Sequence, residues 1–239
     1  MKRILLYFVF LCSAFAAAKD ISAEQFLAVL RDSSSHRGST YGVLEGNATH
    51  IRREKGKKII EEYPCFMALI ITPGKSITQI IFDNQEGYLV GRSAQSGTSL
   101  RPLSSKRGIM ERIGVSPRDL SMSFIDGKFV RELEPENVKM ADCRVLLLKD
   151  EAQHEWVRIY AAKDYYFVLK AEFFNVEPQK NTKPSRTLEI NSFANKNGLY
   201  YPQSLELFGI GWRTDIVFDK TDMNIYSPEQ GTKIFRSIK

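Results

Sequence analysis

The sequence predicts a mainly β chain with a few helices, an α+β protein built on a large antiparallel sheet. Three observations predict it. Trp, Tyr, Phe, Val and Ile crowd two runs of strand length, Glu155 to Tyr160 and Phe167 to Phe174, and the span between them is short enough to be a turn. Gly, Pro or Asn separates most of the other apolar runs, as hairpins require. Two runs, Phe66-Met67-Ala68-Leu69-Ile70-Ile71 and Val145-Leu146-Leu147-Leu148, do not alternate, so both faces of their strands must be covered. A curved sheet with a helix plugging its hollow side meets that demand.

The first 18 residues stand apart from this pattern. Lys2 and Arg3 precede an apolar run from Ile4 to Leu11, and Ala14-Phe15-Ala16 or Ala16-Ala17-Ala18 supplies small residues before a cleavage point near Ala16 or Ala18. This reads as a secretory leader. Lipid attachment at Cys12 needs a small residue before it, and Leu11 is there instead, so the expectation is a soluble periplasmic protein. Residues 19–239 then read as one domain. Loss of Lys2 and Arg3 lowers the formal charge from +6 to +4, and nucleic acid is not an expected partner. No later run approaches the roughly 18 apolar residues of a membrane helix. Cys65 and Cys143 both sit in apolar strands and read as buried free thiols, although export would permit a disulfide.

Along the mature chain, Ser22 can cap a helix with Gln25 reaching back and Ile21 stapling onto Phe26. Ala23, Phe26, Leu27 and Leu30 share one face of that helix, which ends between Arg31 and Ser35. Strands are expected over 40–44, 48–52, 58–63, 66–72, 76–83 and 88–91, followed by a long loop from Ser93 to Lys106. Short helices follow at Lys106 to Ile113 and from Ser116, with Pro117 at the first helical position. Strands resume at Phe129 to Leu133 and Cys143 to Leu148. Beyond the hairpin they continue at Arg186 to Ala194, then at Leu205 to Phe208 and Asp215 to Phe218 around the turn Gly209-Ile210-Gly211, leaving a tail from Ser227 that carries Phe235. The basic run Arg52-Arg53-Glu54-Lys55-Gly56-Lys57-Lys58 reads as a solvated hairpin tip, with anionic headgroups or an acidic partner as the functional alternative.

Catalytic signatures are missing from the sequence. It holds no G-x-S-x-G, and His36, His50 and His154 read as loop or surface histidines. Cys65 and Cys143 lack the short pairing a zinc site needs. Thr72-Pro73-Gly74-Lys75-Ser76 imitates the end of a phosphate loop but precedes a strand, so it reads as a hairpin turn. Glu61 and Glu62 point to opposite faces of a strand, while Glu172 and Glu189 could meet across a sheet. A large apolar surface without a catalyst favours binding over an enzyme.

From Trp156 onward the pattern becomes that of a known family. Cys143-Arg144-Val145-Leu146-Leu147-Leu148, then Trp156 to Tyr160 and Leu169 to Phe174, then Leu188-Glu189-Ile190 and Gly198 to Leu207, and Arg213-Thr214-Asp215-Ile216 resemble the outer membrane lipoprotein-sorting family of the LolA-like carrier superfamily. Asp119 to Phe124 and Tyr41 to Gly46, after the early helix, are similar to its preceding segments.

The resemblance implies an incomplete, strongly curved antiparallel β barrel with a helical lid and a cavity for acyl chains, Arg52 or Arg92 being candidates by order for an arginine that helps close the lid. It implies a periplasmic carrier of lipid or lipoprotein toward the outer membrane, monomeric and free of cofactor and metal. Its partners would be acyl chains and the transfer proteins of the inner and outer membranes. By strand position, Phe66, Ile70, Ile80, Phe82, Leu146, Leu169 and Phe173 are expected to line a dry cavity of about 300–1,000 Å³. The alternatives are a periplasmic sensor or protein-interaction module of the same fold, or a cofactor-free small-molecule enzyme.

Overall fold

Hairpin after hairpin along the chain resolves into one sheet. The computed structural model describes residues 21–32, 39–93, 95–227 and 233–238. The leader read at residues 1–18, His36 and the expected helix end beyond Asp32 lie outside the described residues. The strands are β1 (Thr40–Glu54), β2 (Lys57–Thr72), β3 (Lys75–Phe82), β4 (Glu86–Ser93), β5 (Gly97–Pro102) and β6 (Lys128–Val138). They continue as β7 (Ala141–Asp150), β8 (Glu155–Ala162), β9 (Val168–Phe174), β10 (Arg186–Lys196), β11 (Leu199–Gly209) and β12 (Trp212–Ile225). Their spatial order is β5-β4-β3-β2-β1-β12-β11-β10-β9-β8-β7-β6. Two meanders are thus joined where β1 pairs with β12, and the sheet stays open between β5 and β6.

Helices α1 (Ala23–Arg31), α2 (Ile109–Arg112) and α3 (Pro117–Leu120) precede or interrupt the strands, with a 3-10 turn at Ser123–Asp126. The Ser22–Gln25 capping box forms as expected, and a second one joins Ser116 to Asp119 with Pro117 inside it. None of the described helices is long and apolar enough to cross a membrane.

Several expected breaks are continuous strand. Gly46 and Asn47 do not turn the chain between 40–44 and 48–52. Gly46 lies at a register shift against β12, where a Cβ would stand 1.8 Å from the Val217 carbonyl oxygen, so the glycine permits a close approach inside one long strand. Pro64 likewise does not divide β2. Its carbonyl accepts from Asp83 just past the end of β3 at Phe82, on the side where no ladder N–H is required. The expected loop from Ser93 to Lys106 contains β5, an edge strand too exposed to alternate. The helix at Lys106 to Ile113 shrinks to the single turn α2.

Both unalternating strands are covered on both faces. Cys65 and Met67 of β2, with Leu146 and Leu148 of β7, join the main core under the helices. On the opposite face Phe66, Ala68 and Ile81 lie beneath Ile234, Phe235 and Ile238 of the tail. Gln79 fastens that tail by bonding both the carbonyl (2.7 Å) and the N–H (2.8 Å) of Arg236. Cys143, Val145 and Tyr160 form a second patch there with Leu169. Cys65 and Cys143 are free thiols in separate clusters, and burial pushes the Cys65 thiol up to about 12.

His50 is a correction. It is 2% exposed, within β1, and faces Thr214 of β12 at 2.8 Å. The Thr214 hydroxyl donates to the Ile113 carbonyl, so it accepts from His50 Nδ1, and a strand histidine holds the end of α2. Burial lowers its pKa, with Glu61 opposing. A histidine between Thr49 and Ile51 in a half-buried strand carries no mark of this in sequence. His154 is exposed in the β7–β8 turn, as read.

Candidate functional site

The helix-bearing face of the sheet carries an apolar layer drawn from β1 to β4 and from β7 to β12, and α1 lies on it. The 3.6-residue period puts Phe26, Leu27 and Leu30 on one face, and all three are buried in the main core. Polar contacts to α1 are few. Arg31 donates to the carbonyls of Ile125 (2.8 Å) and Gly127 (2.5 Å), and Arg144 donates to Ile21 (2.8 Å) with its guanidinium 4.9 Å from the Phe26 ring centre. Phe26 also meets Tyr166 at 5.1 Å. Burial lowers the pKa of Arg31, with Asp126 opposing and Arg92 adding to it.

The 3-10 turn beside Arg31 contacts β5 and β7, strands from opposite flanks of the sheet. Asp126 makes the link. It accepts two bonds from Arg92, at 2.6 and 2.9 Å, and one from Thr98 at 2.6 Å. Burial alone would raise its carboxyl pKa, but Arg92, Thr98 and Arg31 outweigh burial and hold it below the usual range. Arg92 is therefore the lid-arginine candidate that joins the sheet to this region, whereas Arg52 pairs at the surface with Glu54 and Glu61.

Beside α3 and the segment leading into it lies a half-open cleft of about 280 Å³. Asp119 both caps α3 and binds Arg186 at 2.6 Å; Arg186 also reaches Glu155 at 3.1 Å, and its guanidinium lies 3.7 Å from the Phe173 ring centre. Arg118 pairs with the buried Asp150 on the same wall. Burial works against the charge of Arg186, but Asp119 and Glu155 outweigh it and raise its pKa. The cleft is smaller and more polar than the dry cavity expected: apolar side chains pack under the helices, and charged groups line this gap.

Of the seven residues expected to line one cavity, Ile80, Phe82, Leu146 and Phe173 share the helix-side core. Phe66 faces the other way under the tail, and Ile70 shares its side by the two-residue period of β2. Leu169 also packs on that opposite face. A register shift between Tyr160 and Ala161 displaces it, so Val168 and Ala171 enter the helix-side core while Leu169 does not. Arg31, Asp119, Asp126 and Arg186 were not singled out. Each is a charged residue beside an element end, where charge is ordinary. Glu172 and Glu189 stay apart: Glu172 binds Arg158, Tyr160 and Lys170, and Glu189 binds Lys139.

No sequence-family model and no curated protein matches this chain. Solved structures do. A DUF1329 family protein from Desulfovibrio piger matches with a TM-score of 0.53 at 17% identity, over 87% of this chain and 96% of that one. A domain described as an outer membrane lipoprotein-sorting protein, from Vibrio parahaemolyticus, matches with a TM-score of 0.50 at 13% identity, over 89% and 98%. A LolA superfamily protein from Nitrosomonas europaea gives 0.46 at 13% identity, over 88% and 97%. Over most of its length, then, this chain shares its fold with the DUF1329 protein and the lipoprotein-sorting domain, at low sequence identity.

Proposed function

We propose that this protein is an exported, periplasmic carrier that shelters the acyl chains of lipid or lipoprotein on their way toward the outer membrane, as a monomer and without covalent chemistry. The observation that carries the reading is the thinness of the cover. One nine-residue helix and two four-residue helices lie over the apolar face of a twelve-stranded sheet. Because the turn at Asp126 reaches strands near both open edges, we read the sheet as an incomplete, strongly curved barrel with α1 as its lid.

Magnitudes favour exchange over a permanent void. Burying Phe26, Leu27 and Leu30 contributes about 1.5–3 kcal/mol each, or about 5–9 kcal/mol together. An acyl chain burying about a dozen methylenes, at about 0.8 kcal/mol each, contributes about 10 kcal/mol. A chain entering as α1 leaves therefore gains little net free energy, and a carrier that must also release its load needs that balance. Ile80, Phe82, Leu146 and Phe173 are the positions we assign to contact the acyl chain.

Native mass spectrometry of protein purified without detergent tests this. Co-purifying acyl lipid is expected, and Arg31→Ala, which frees the end of α1, raises uptake of a fluorescent fatty-acid probe severalfold. A clean apo mass with no probe uptake by either protein would sink the proposal.

A further inference from the structure

We propose that the end of the sheet bearing the β1–β2 and β11–β12 turns is a docking surface for a bilayer containing anionic phospholipid. Three features meet there. The β1–β2 tip, Arg52 to Lys58, carries five cations against one carboxylate, and Glu54 is already paired with Arg52. Arg53, Lys55, Lys57 and Lys58 are exposed, and their side chains form no ion pair among the described residues. A basic tip alone is ordinarily just solvated.

The second feature sits beside it. Ile210, at the β11–β12 turn, is 92% exposed, and the Arg53 N–H donates to Gly211 at 3.3 Å, which holds the two tips together. A bare isoleucine next to unpaired lysines suits a headgroup region, where the apolar tip enters the acyl boundary and the cations meet phosphates. An acidic soluble protein would answer the charge but leave Ile210 without a role.

The third feature is register. Arg52 pairs with Trp212, Trp212 with Gly209, and Gly209 with Arg186, so the basic tip and the charged cleft lie along one row across the sheet. Three carboxylates at the cleft, Asp119, Asp150 and Glu155, are each bound by an arginine and do not cancel the basic field. A bilayer docked here would lie at the same end of the sheet as the cleft beside α3. The inference extends the carrier reading but stands on a different surface.

Sedimentation of the chain from Lys19 onward with phosphatidylcholine vesicles containing about one-third phosphatidylglycerol tests it. The protein is expected to pellet with these vesicles, to stay in solution with pure phosphatidylcholine, and to bind less as salt rises. Combining Arg53→Gln, Lys55→Gln, Lys57→Gln and Lys58→Gln lowers partitioning about a thousandfold, and Ile210→Ser about tenfold. All are exposed positions, so unchanged thermal melts are expected. Equal binding to both vesicle types, or wild-type binding by the glutamine variant, overturns the proposal. So does loss of binding caused instead by Tyr165→Ser with Tyr200→Ser, exposed tyrosines at the opposite end of the sheet. Retention of soluble poly-glutamate without vesicle binding also overturns it, in favour of an acidic protein partner. Cargo is read separately by mass: vesicle binding without co-purifying lipid keeps this surface and removes the carrier, and lipid without vesicle binding does the reverse.

Discussion

Helix α1 and the α2–α3 segment cover the same face of the sheet but differ in their polar contacts. α1 is held by Phe26, Leu27 and Leu30 and by two arginines that donate to neutral carbonyls, one of which, Arg144, is itself paired with Glu132 of β6. The α2–α3 segment buries Met110, Ile113, Val115 and Leu120 in the same core and adds ions and directed bonds. Asp119 grips Arg186, Asp150 grips Arg118, and Glu86 accepts from the first N–H groups of α2 at 2.6 and 3.0 Å. Apolar contacts are non-directional and can be replaced by other hydrocarbon, whereas drawing Asp119 away from Arg186 would strand buried charges. Under the proposed function, the difference makes α1 the part of the cover expected to leave and α2–α3 the part expected to stay.

The strongest way to break that comparison is to attack the fixed side. Arg186→Met leaves Asp119, at 0% exposure, without its cation, and urea unfolding should show a loss of about 3–5 kcal/mol. A loss below about 1 kcal/mol would mean the segment is not anchored by that pair. Asp126→Asn comes next, with an expected loss of about 1.5–3 kcal/mol near neutral pH, as for hydrogen bonds to charged groups. Because the folded carboxyl pKa is depressed, the unfolded chain binds more protons between the two values. The wild-type contribution is therefore present above the unfolded carboxylate pKa and disappears as pH falls through the folded one. Urea midpoints below about pH 4 should converge for the two proteins, and a constant gap would remove Asp126 as the cause. The smallest global effect is expected from Leu27→Ala. If α1 detaches on its own, amide exchange over Ala23–Arg31 rises at least about tenfold while global stability changes by less than about 1 kcal/mol. A full core-cavity loss of about 2–5 kcal/mol in the urea curve would make α1 part of the fixed core.

How far the chain could be read in advance differs by kind of feature. The helix start at Ser22, the helix start at Ser116 with Pro117 behind it and the turn at Gly209-Ile210-Gly211 depend on neighbours a few residues away, and all three form where read. Pro64 and Gly46 misled because their usual meaning as breaks assumes a partner strand that needs their groups; β3 ends at Phe82, and β12 approaches Gly46 too closely for a side chain. Leu169 misled because a bulge shifts parity without a residue type to announce it.

The amino-acid order alone determined the antiparallel β class, the first helix with its buried stripe, and the demand that β2 and β7 be covered on both faces, since each of these rests on local period and capping. Only the tertiary structure decided that the second cover of β2 is the chain's own tail, that His50 is buried, and that Asp119 meets Arg186 sixty-seven positions away. Those outcomes depend on which distant strands become neighbours, and pairing of that kind is set by the free energy of the whole assembled sheet and leaves no periodic trace along the chain.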